Sequence, residues 1–472
     1  MSLDVKDLVV MAGKTQLLGP LDVAVEPGEP LSILGETGAG KSLLAQAVMG
    51  TLPAGLSASG RITLGGRRLD DLPASEREAL WGRHVAILPQ EPWRALDPLM
   101  RGNEQVAESH AVVAGRPWDE ARRRAEGDLS GLGLPGASHD AYPGVLSGGM
   151  AQRVAFAAAT AAGATTLLAD EPTKGLDDAR RDDVVRLLRD VAEKGGILLC
   201  ITHDVAVARA LGGRVMILRQ GEVVECGACE TVLTAPQSAY GRALVEADPA
   251  NWPSHGTMPG QSPVLVAENL SIARGGRTLV SGIDLSVGTG GRLAIAGPSG
   301  LGKSTLLDTL AGLIPPARGR VERRGEARKP LALQKLYQDP PSAFAPRVTL
   351  KTGFQDLVRR HRLDAARMSM LIERLGLSPA LLERKPSAVS GGELQRLALA
   401  RVLMLNPSVI LADEPTSRLD PVTQRSVMEV IGEIHHEAEA AVILVTHNLT
   451  LAKRWAGTVV NLATLAAAKS AA

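Results

Sequence analysis

At 472 residues the chain exceeds what one hydrophobic core serves and fits two domains. Its 45% hydrophobic and 22% charged content is ordinary for a globular protein, and a net charge of +1 excludes a global field that recruits nucleic acid or anionic lipid. Aromatic residues make up only 2%, so aliphatic side chains must pack the core.

The opening residues, MSLDVKDLVV, place no basic region before an apolar one and predict no secretory leader. Pro30–Leu34 reads as a strand feeding the glycine-rich turn Gly35-Glu-Thr-Gly38-Ala-Gly40-Lys41-Ser42, with a helix starting at Lys41. After Gln90 comes a loop carrying Trp93, Leu96 and Pro98, then Ser147-Gly148-Gly149-Met-Ala-Gln-Arg153. The longest uncharged run, Arg153 to Asp170, is too short for a bilayer and is broken by Gly163. It reads as a helix followed by a buried strand, Thr166–Ala169, that ends in Asp170-Glu171-Pro-Thr173. A further apolar strand ends at Thr202-His203, and two short strands, Arg214–Leu218 and Glu222–Glu225, flank the turn Gln220-Gly221.

Three cysteines are too few for a disulfide framework. Cys226-Gly-Ala-Cys229 has neither a second pair nor histidines close behind it, so it reads as two small residues after a strand. The segment 248–263, dense in Pro, Gly and Ser, reads as a flexible linker between a first domain, 1–247, and a second, 264–472.

The second domain repeats the first. Gly297-Pro-Ser-Gly300-Leu-Gly302-Lys303-Ser304-Thr305 matches the first glycine-rich turn, with Arg292–Ala296 as its strand and a helix from Lys303. Gln338, Ser390-Gly391-Gly392, Asp413-Glu414 after the strand Val409–Ala412, and Thr446-His447 follow in the same order. The offset is 262 residues between the lysines but 243 between the signature serines, so the second copy has lost about nineteen residues in between. It also ends sooner after its histidine than the first copy does.

The glycine-rich turns are phosphate-binding loops, in which backbone N–H groups at a helix N-terminus cradle anionic oxygens. Lys41 and Lys303 add a point charge, and the hydroxyls of Ser42 and Ser304 are suited to Mg²⁺. The acidic pairs close buried strands, where a metal or water must justify their desolvation. Asp170 and Asp413 suit the metal shell, while Glu171 and Glu414 suit the polarisation of an attacking water.

Taken together, these motifs resemble the ATP-binding-cassette (ABC) family over nearly all of both halves. The resemblance implies an α/β fold of two P-loop NTPase domains. Each would have a RecA-like core, an antiparallel β subdomain and a helical signature subdomain, and the two would pack as an intramolecular head-to-tail pair. It implies ATP and Mg²⁺ as cofactors, with each signature serine closing over the nucleotide on the other domain's loop. One site would combine Lys41, Ser42, Asp170 and Glu171 with Ser390, Gly391 and Gly392; the other would combine Lys303, Ser304, Asp413 and Glu414 with Ser147, Gly148 and Gly149. His203 and His447 match the family's switch histidine that contacts the γ-phosphate. Gln90 and Gln338 match its Q-loop glutamine, next to the metal and to the docking surface of the membrane subunit.

The Q-loop surroundings, the string Asp170–Asp177 and Ser238–Leu244 look like importers of oligopeptides, dipeptides and nickel. That resemblance implies two integral-membrane permease subunits, an extracytoplasmic solute-binding protein, and a peripheral place on the cytoplasmic face of the inner membrane. Twin cassettes acting on ribosomes form a competing class. They resemble this chain less, because its linker is short and no basic, aromatic-laced RNA segment occurs. An accessory ATPase of phosphonate breakdown shares the same look. One departure from the family pattern stands out: no aromatic lies near Ala12 or Arg274, where the family stacks adenine, leaving the Arg274 guanidinium plane as a substitute.

Overall fold

The computed structural model describes residues 2–90, 95–174, 176–254, 256, 262–298, 300–417 and 419–465. Trp93, singled out above, lies outside them. The chain divides into two compact units, Met1–Asp248 and Pro249–Ala472.

The first unit holds a six-stranded sheet in the order Glu222–Ala228, Arg214–Arg219, Leu31–Gly35, Ile197–Ile201, Thr166–Asp170, Val85–Leu88. Its pairings are parallel except at the Glu222–Ala228 edge, a hairpin turning at Gln220-Gly221. The alternation of side chains along a strand explains why these strands are apolar throughout. Leu168 packs on one face against Leu44, Val48 and Ile62, whereas Leu167 and Ala169 pack on the other against Val154 and Leu188. The first face is covered by the helix Lys41–Met49 and by an antiparallel sheet in the order Thr15–Val25, Leu3–Ala12, Leu56–Leu64, Arg67–Arg68. The second face carries the helices Gly102–Glu108, Trp118–Gly131 and Gly148–Thr160.

The second unit repeats this plan with fewer parts. Its five-stranded sheet is parallel throughout, in the order Leu333–Leu336, Val409–Asp413, Ala441–Thr446, Arg292–Ala296, Thr458–Asn461. A three-stranded antiparallel sheet and the helices Leu350–His361, Ala365–Arg374 and Gly391–Leu403 complete it. The strand Thr458–Asn461 has no counterpart in the sequence reading. Four residues without alternation gain their strand geometry from pairing with Arg292–Ala296.

The start of the expected linker is not a coil. Pro249–Asn251 forms a 3₁₀ turn, Trp252 is buried in the second unit's core near Trp455, and Arg454 donates to the Ser254 hydroxyl at 3.1 Å. An indole removes enough apolar area from water to fix the residues beside it.

Candidate active sites

Each site is built where strands of the parallel sheet end, within one unit. In the first, Leu31–Gly35 runs into the glycine-rich turn and the helix Lys41–Met49 leaves it. Gly40 caps that helix at φ 89°, and a Cβ there would meet Leu18 Cδ1 at 2.9 Å, so the turn closes against the antiparallel sheet. At Gly38, φ 88°, a Cβ would meet nothing within 4 Å, leaving room above the turn for a ligand. Gly300 and Gly302 repeat both features at φ 88° and 90°. Lys41 is buried, and its Nζ donates to the carbonyls of Gly35 and Glu36 at 2.7 and 2.8 Å. Lys303 does the same to Gly297 and Pro298 at 2.8 and 3.1 Å. Backbone carbonyls thus hold both ammonium groups at the turn.

The neighbouring sheet strands bring the acids. Asp170 and Asp413 are buried and hydrogen-bonded to Ser42 and Ser304, and each keeps a buried Oδ1 without a hydrogen-bond partner. Burial, opposed by the serine hydroxyl, lifts both carboxyls above the usual carboxylate range. Glu171 and Glu414 adopt left-handed backbone, φ 49° and 47°, an uncommon conformation for a non-glycine residue. Their amides are held by the carbonyls of Ile201 and Val445 at 2.8 and 3.0 Å. Strain of this kind persists only where surrounding structure imposes it, and it sits here at both acidic pairs.

The histidines arrive from the strands Ile197–Ile201 and Ala441–Thr446. His203 Nδ1 lies 2.7 Å from Glu171 Oε2, and His447 Nδ1 lies 3.3 Å from Glu414 Oε1. Burial pushes the Glu171 carboxyl up, but the facing His203 and Lys41 outweigh it and hold it below its ordinary value. The same contest holds Glu414 down through His447 and Lys303. His203 is raised because Glu171 outweighs its burial. Gln338 Nε2 donates to Glu414 Oε2 at 3.0 Å, whereas Gln90 is exposed and makes no such bond.

The signature serines cap helices. Ser147 Oγ accepts from the Met150 amide, and Ser390 Oγ accepts from the Glu393 amide while donating to the Glu393 carboxylate at 2.6 Å. Gly148, Gly149, Gly391 and Gly392 form the first turns of those helices. The sequence reading assigned nothing to Gln152 and Gln395. Both are buried and donate to backbone at the acidic pairs, Gln152 to the carbonyl of Pro172 just after Glu171 and Gln395 to the Glu414 carbonyl itself at 3.1 Å. Their recurrence two residues after each Ser-Gly-Gly-x was the available signal.

Among the described residues, no cluster of three His, Cys, Asp or Glu could hold a metal. The cysteines are not turn residues after a strand as expected: Cys226 is exposed within the strand Glu222–Ala228, and Cys229 opens the helix Cys229–Thr234, buried with its thiol near the Ala208 carbonyl. Arg274 is exposed at a tight hairpin where it pairs with Arg277.

A strand, a glycine-rich turn, a helix N-terminus and a buried Asp-Glu pair with a histidine define a P-loop nucleoside-triphosphate hydrolase site, and the chain builds it twice. The ABC transporter family matches residues 18–174 and 280–417. A peptidoglycan transport ATP-binding protein, YejF, of Agrobacterium fabrum is 33% identical, covering 90% of this chain and 84% of that protein. The glutathione import ATP-binding protein GsiA of Escherichia coli K12 is 31% identical over 92% of this chain and 80% of its own length. The fold is similar to that of the archaeal ribosome recycling factor aABCE1, with TM-score 0.68 and 22% identity over 94% of this chain and 84% of that one. The chain belongs to the ABC transporter family, as a fused tandem ATPase of the peptide-importer type.

Proposed function

We propose that this chain binds ATP with Mg²⁺ at both glycine-rich turns and hydrolyses it to drive uptake of peptide-like solutes through separate membrane permease subunits. The observation that carries this reading is the twofold assembly of Lys, Ser, Asp, Glu and His around one turn, with no member missing from either copy. The relatives named for peptidoglycan transport and glutathione import support a peptide-like cargo.

Each site does its work through preorganised charge. Lys41 and Lys303 meet phosphate oxygens together with the turn's N–H groups. Ser42 with Asp170, and Ser304 with Asp413, fit a hard divalent cation, because each aspartate holds a buried, unpartnered oxygen beside a hydroxyl. Mg²⁺ bound there would neutralise charge on the phosphates. Glu171 and Glu414 hold and orient the attacking water, while His203 and His447, each against its glutamate, face the phosphate being transferred. Gln90 and Gln338 stand at the edge of these sites. Ser147, Gly148 and Gly149, and Ser390, Gly391 and Gly392, set a capping serine and first-turn N–H groups at a helix N-terminus, a setting suited to an anionic phosphate.

No helix among the described residues is long and apolar enough to cross a membrane. The relatives named as transport and import ATP-binding proteins support a chain that acts peripherally at the cytoplasmic face, with the path for solute in partner subunits. In the second unit a cavity of about 340 Å³ opens behind Gln338, lined by Lys335, Tyr337, Ala343, His361 and Arg401. It is suited to a short permease helix. Phe344 packs half-buried under its rim, with the Arg401 guanidinium over its ring at 5.9 Å. In the first unit Leu96 is buried, while Leu99 is 86% exposed beside the corresponding loop.

Co-purification with the permeases and transport in proteoliposomes test the reading. Trp93→Ala and Phe344→Ala should weaken assembly and abolish transport while ATPase of the free chain survives. Unchanged assembly and transport would sink the docking assignment.

A further inference from the structure

The two sites differ in one buried charge. The strand Leu333–Leu336 borders Val409–Asp413, and Lys335 pairs with Leu411, two residues before Asp413. Its side chain is only 7% exposed. Its Nζ lies 2.6 Å from Asp308 Oδ1 and 3.5 Å from Asp413 Oδ2, under the Tyr337 ring at 4.9 Å. In the first unit the same register places Ile87 opposite Leu168, two residues before Asp170. Asp308, five residues after Lys303, has Gln46 as its counterpart five residues after Lys41. A buried Lys paired with a half-buried Asp in the second cassette therefore replaces a neutral Ile and Gln in the first.

We propose that Lys335 is an internal counter-ion to Asp413 that lowers the divalent-metal affinity of the second cassette's site and so makes the two ATP sites unequal. A buried ammonium is costly unless partners hold it, and Asp308 is the partner that holds and aims this one. The pair is neutral as a whole, but its positive end faces Asp413, so a cation arriving at the open Asp413 Oδ1 meets a carboxylate already half-satisfied on its other oxygen. The counter-charges acting on Asp170 are instead Lys41 and Lys174, neither of them on the neighbouring strand Val85–Leu88. Nucleotide in the second site is then held with a weaker metal and turns over more slowly, leaving the first site as the faster one. The inference rests on the assignment of Asp170 and Asp413 as metal ligands.

Titration of the full chain with Mn²⁺ in the presence of a non-hydrolysable ATP analogue, followed by electron paramagnetic resonance, tests it. Asp170→Asn leaves the second site to be read, and Asp413→Asn leaves the first. The second site should bind Mn²⁺ roughly tenfold more weakly, the residue of a unit charge a few ångströms away largely offset by Asp308. Installing the first cassette's residues, Asp308→Gln with Lys335→Ile, should bring the second site up to the first. The reverse exchange, Gln46→Asp with Ile87→Lys, should weaken the first site and covers the case in which the former variant does not fold. Equal affinities in the single-site chains, or no response to either exchange, would overturn the role of Lys335 alone. Undiminished Mn²⁺ binding in both Asp→Asn chains would overturn the ligand assignment and the proposal with it.

Discussion

The two cassettes spend the same motif set on different surroundings. In the first, the glutamate is clamped by its histidine at 2.7 Å and the Q-loop glutamine stands off. In the second, Glu414 is shared among His447 at 3.3 Å, Gln338 at 3.0 Å and Lys303 at 4.0 Å, while Asp413 is engaged by Lys335. Among the described residues the second shows no counterpart of the edge hairpin strand Glu222–Ala228 or of the helices Cys229–Thr234 and Ala239–Ala247. A complete motif therefore does not make two sites equivalent, because the charges one layer behind it set how each carboxylate is occupied.

The largest expected effect tests whether both sites turn over. Glu171→Gln and Glu414→Gln should each cut hydrolysis at their own site, by about 10²–10⁴-fold if water activation is lost, with ATP binding intact. Phosphate release from each single mutant measures it. A larger loss of total turnover in Glu171→Gln would sharpen the contrast; full activity in either mutant would make that site regulatory.

A second contrast lies in the turns themselves. Gly35 and Gly297 share backbone geometry, φ 158° and 151°, so the conformational cost of alanine is the same at both. A Cβ on Gly35 would lie 2.2 Å from the Leu218 carbonyl oxygen, whereas on Gly297 its nearest neighbour is 3.5 Å away. Calorimetry should find Gly35→Ala more destabilising than Gly297→Ala by about 1–3 kcal/mol, as in overpacked cores. Equal melting temperatures would show that the strand Arg214–Arg219 yields.

A smaller effect should be the same in both halves. Gln152→Ala and Gln395→Ala each remove a buried side-chain donor to backbone at the acidic pair and should cost about 1–2 kcal/mol. Thermal unfolding with and without nucleotide reads it. Unequal losses would mean that the signature helix is anchored differently in the two cassettes.

The smallest effect depends on pH and belongs to the first cassette. Glu225 accepts from the Gln237 and Ser238 amides and from the Ser238 hydroxyl at the start of the helix Ala239–Ala247. Burial is the largest single influence and pushes its carboxyl up, but the Ser238 hydroxyl and the Gln237 and Ser238 amides together outweigh it and hold it below the ordinary 4.5. A carboxylate with a depressed folded-state value stabilises fully above 4.5 and loses that contribution as pH falls through the depressed value. Amide exchange in this helix, corrected for intrinsic rates, should accelerate below that window, and Glu225→Gln should flatten the response.

The repeat, the two turns, the acidic pairs and the ends of the central strands were legible in the sequence, because each rests on local rules. A glycine that needs positive φ, a helix that starts on a phosphate loop and an apolar run buried on both faces leave their mark within a few residues. Thr458–Asn461 left no such mark, since pairing with a strand more than 150 residues away made it a strand. Trp252 likewise read as linker until an apolar surface was there to bury it. The approach of Lys335 to Asp413 was equally invisible: a lysine in a four-residue strand reads as an exposed edge position. Only the sheet register, which sets Lys335 beside Leu411 and Asp308 within reach across the helix Lys303–Leu310, turns it into a buried counter-ion. Chemistry carried by one short stretch was fixed by sequence, whereas charge balance between stretches far apart in the chain was decided by packing.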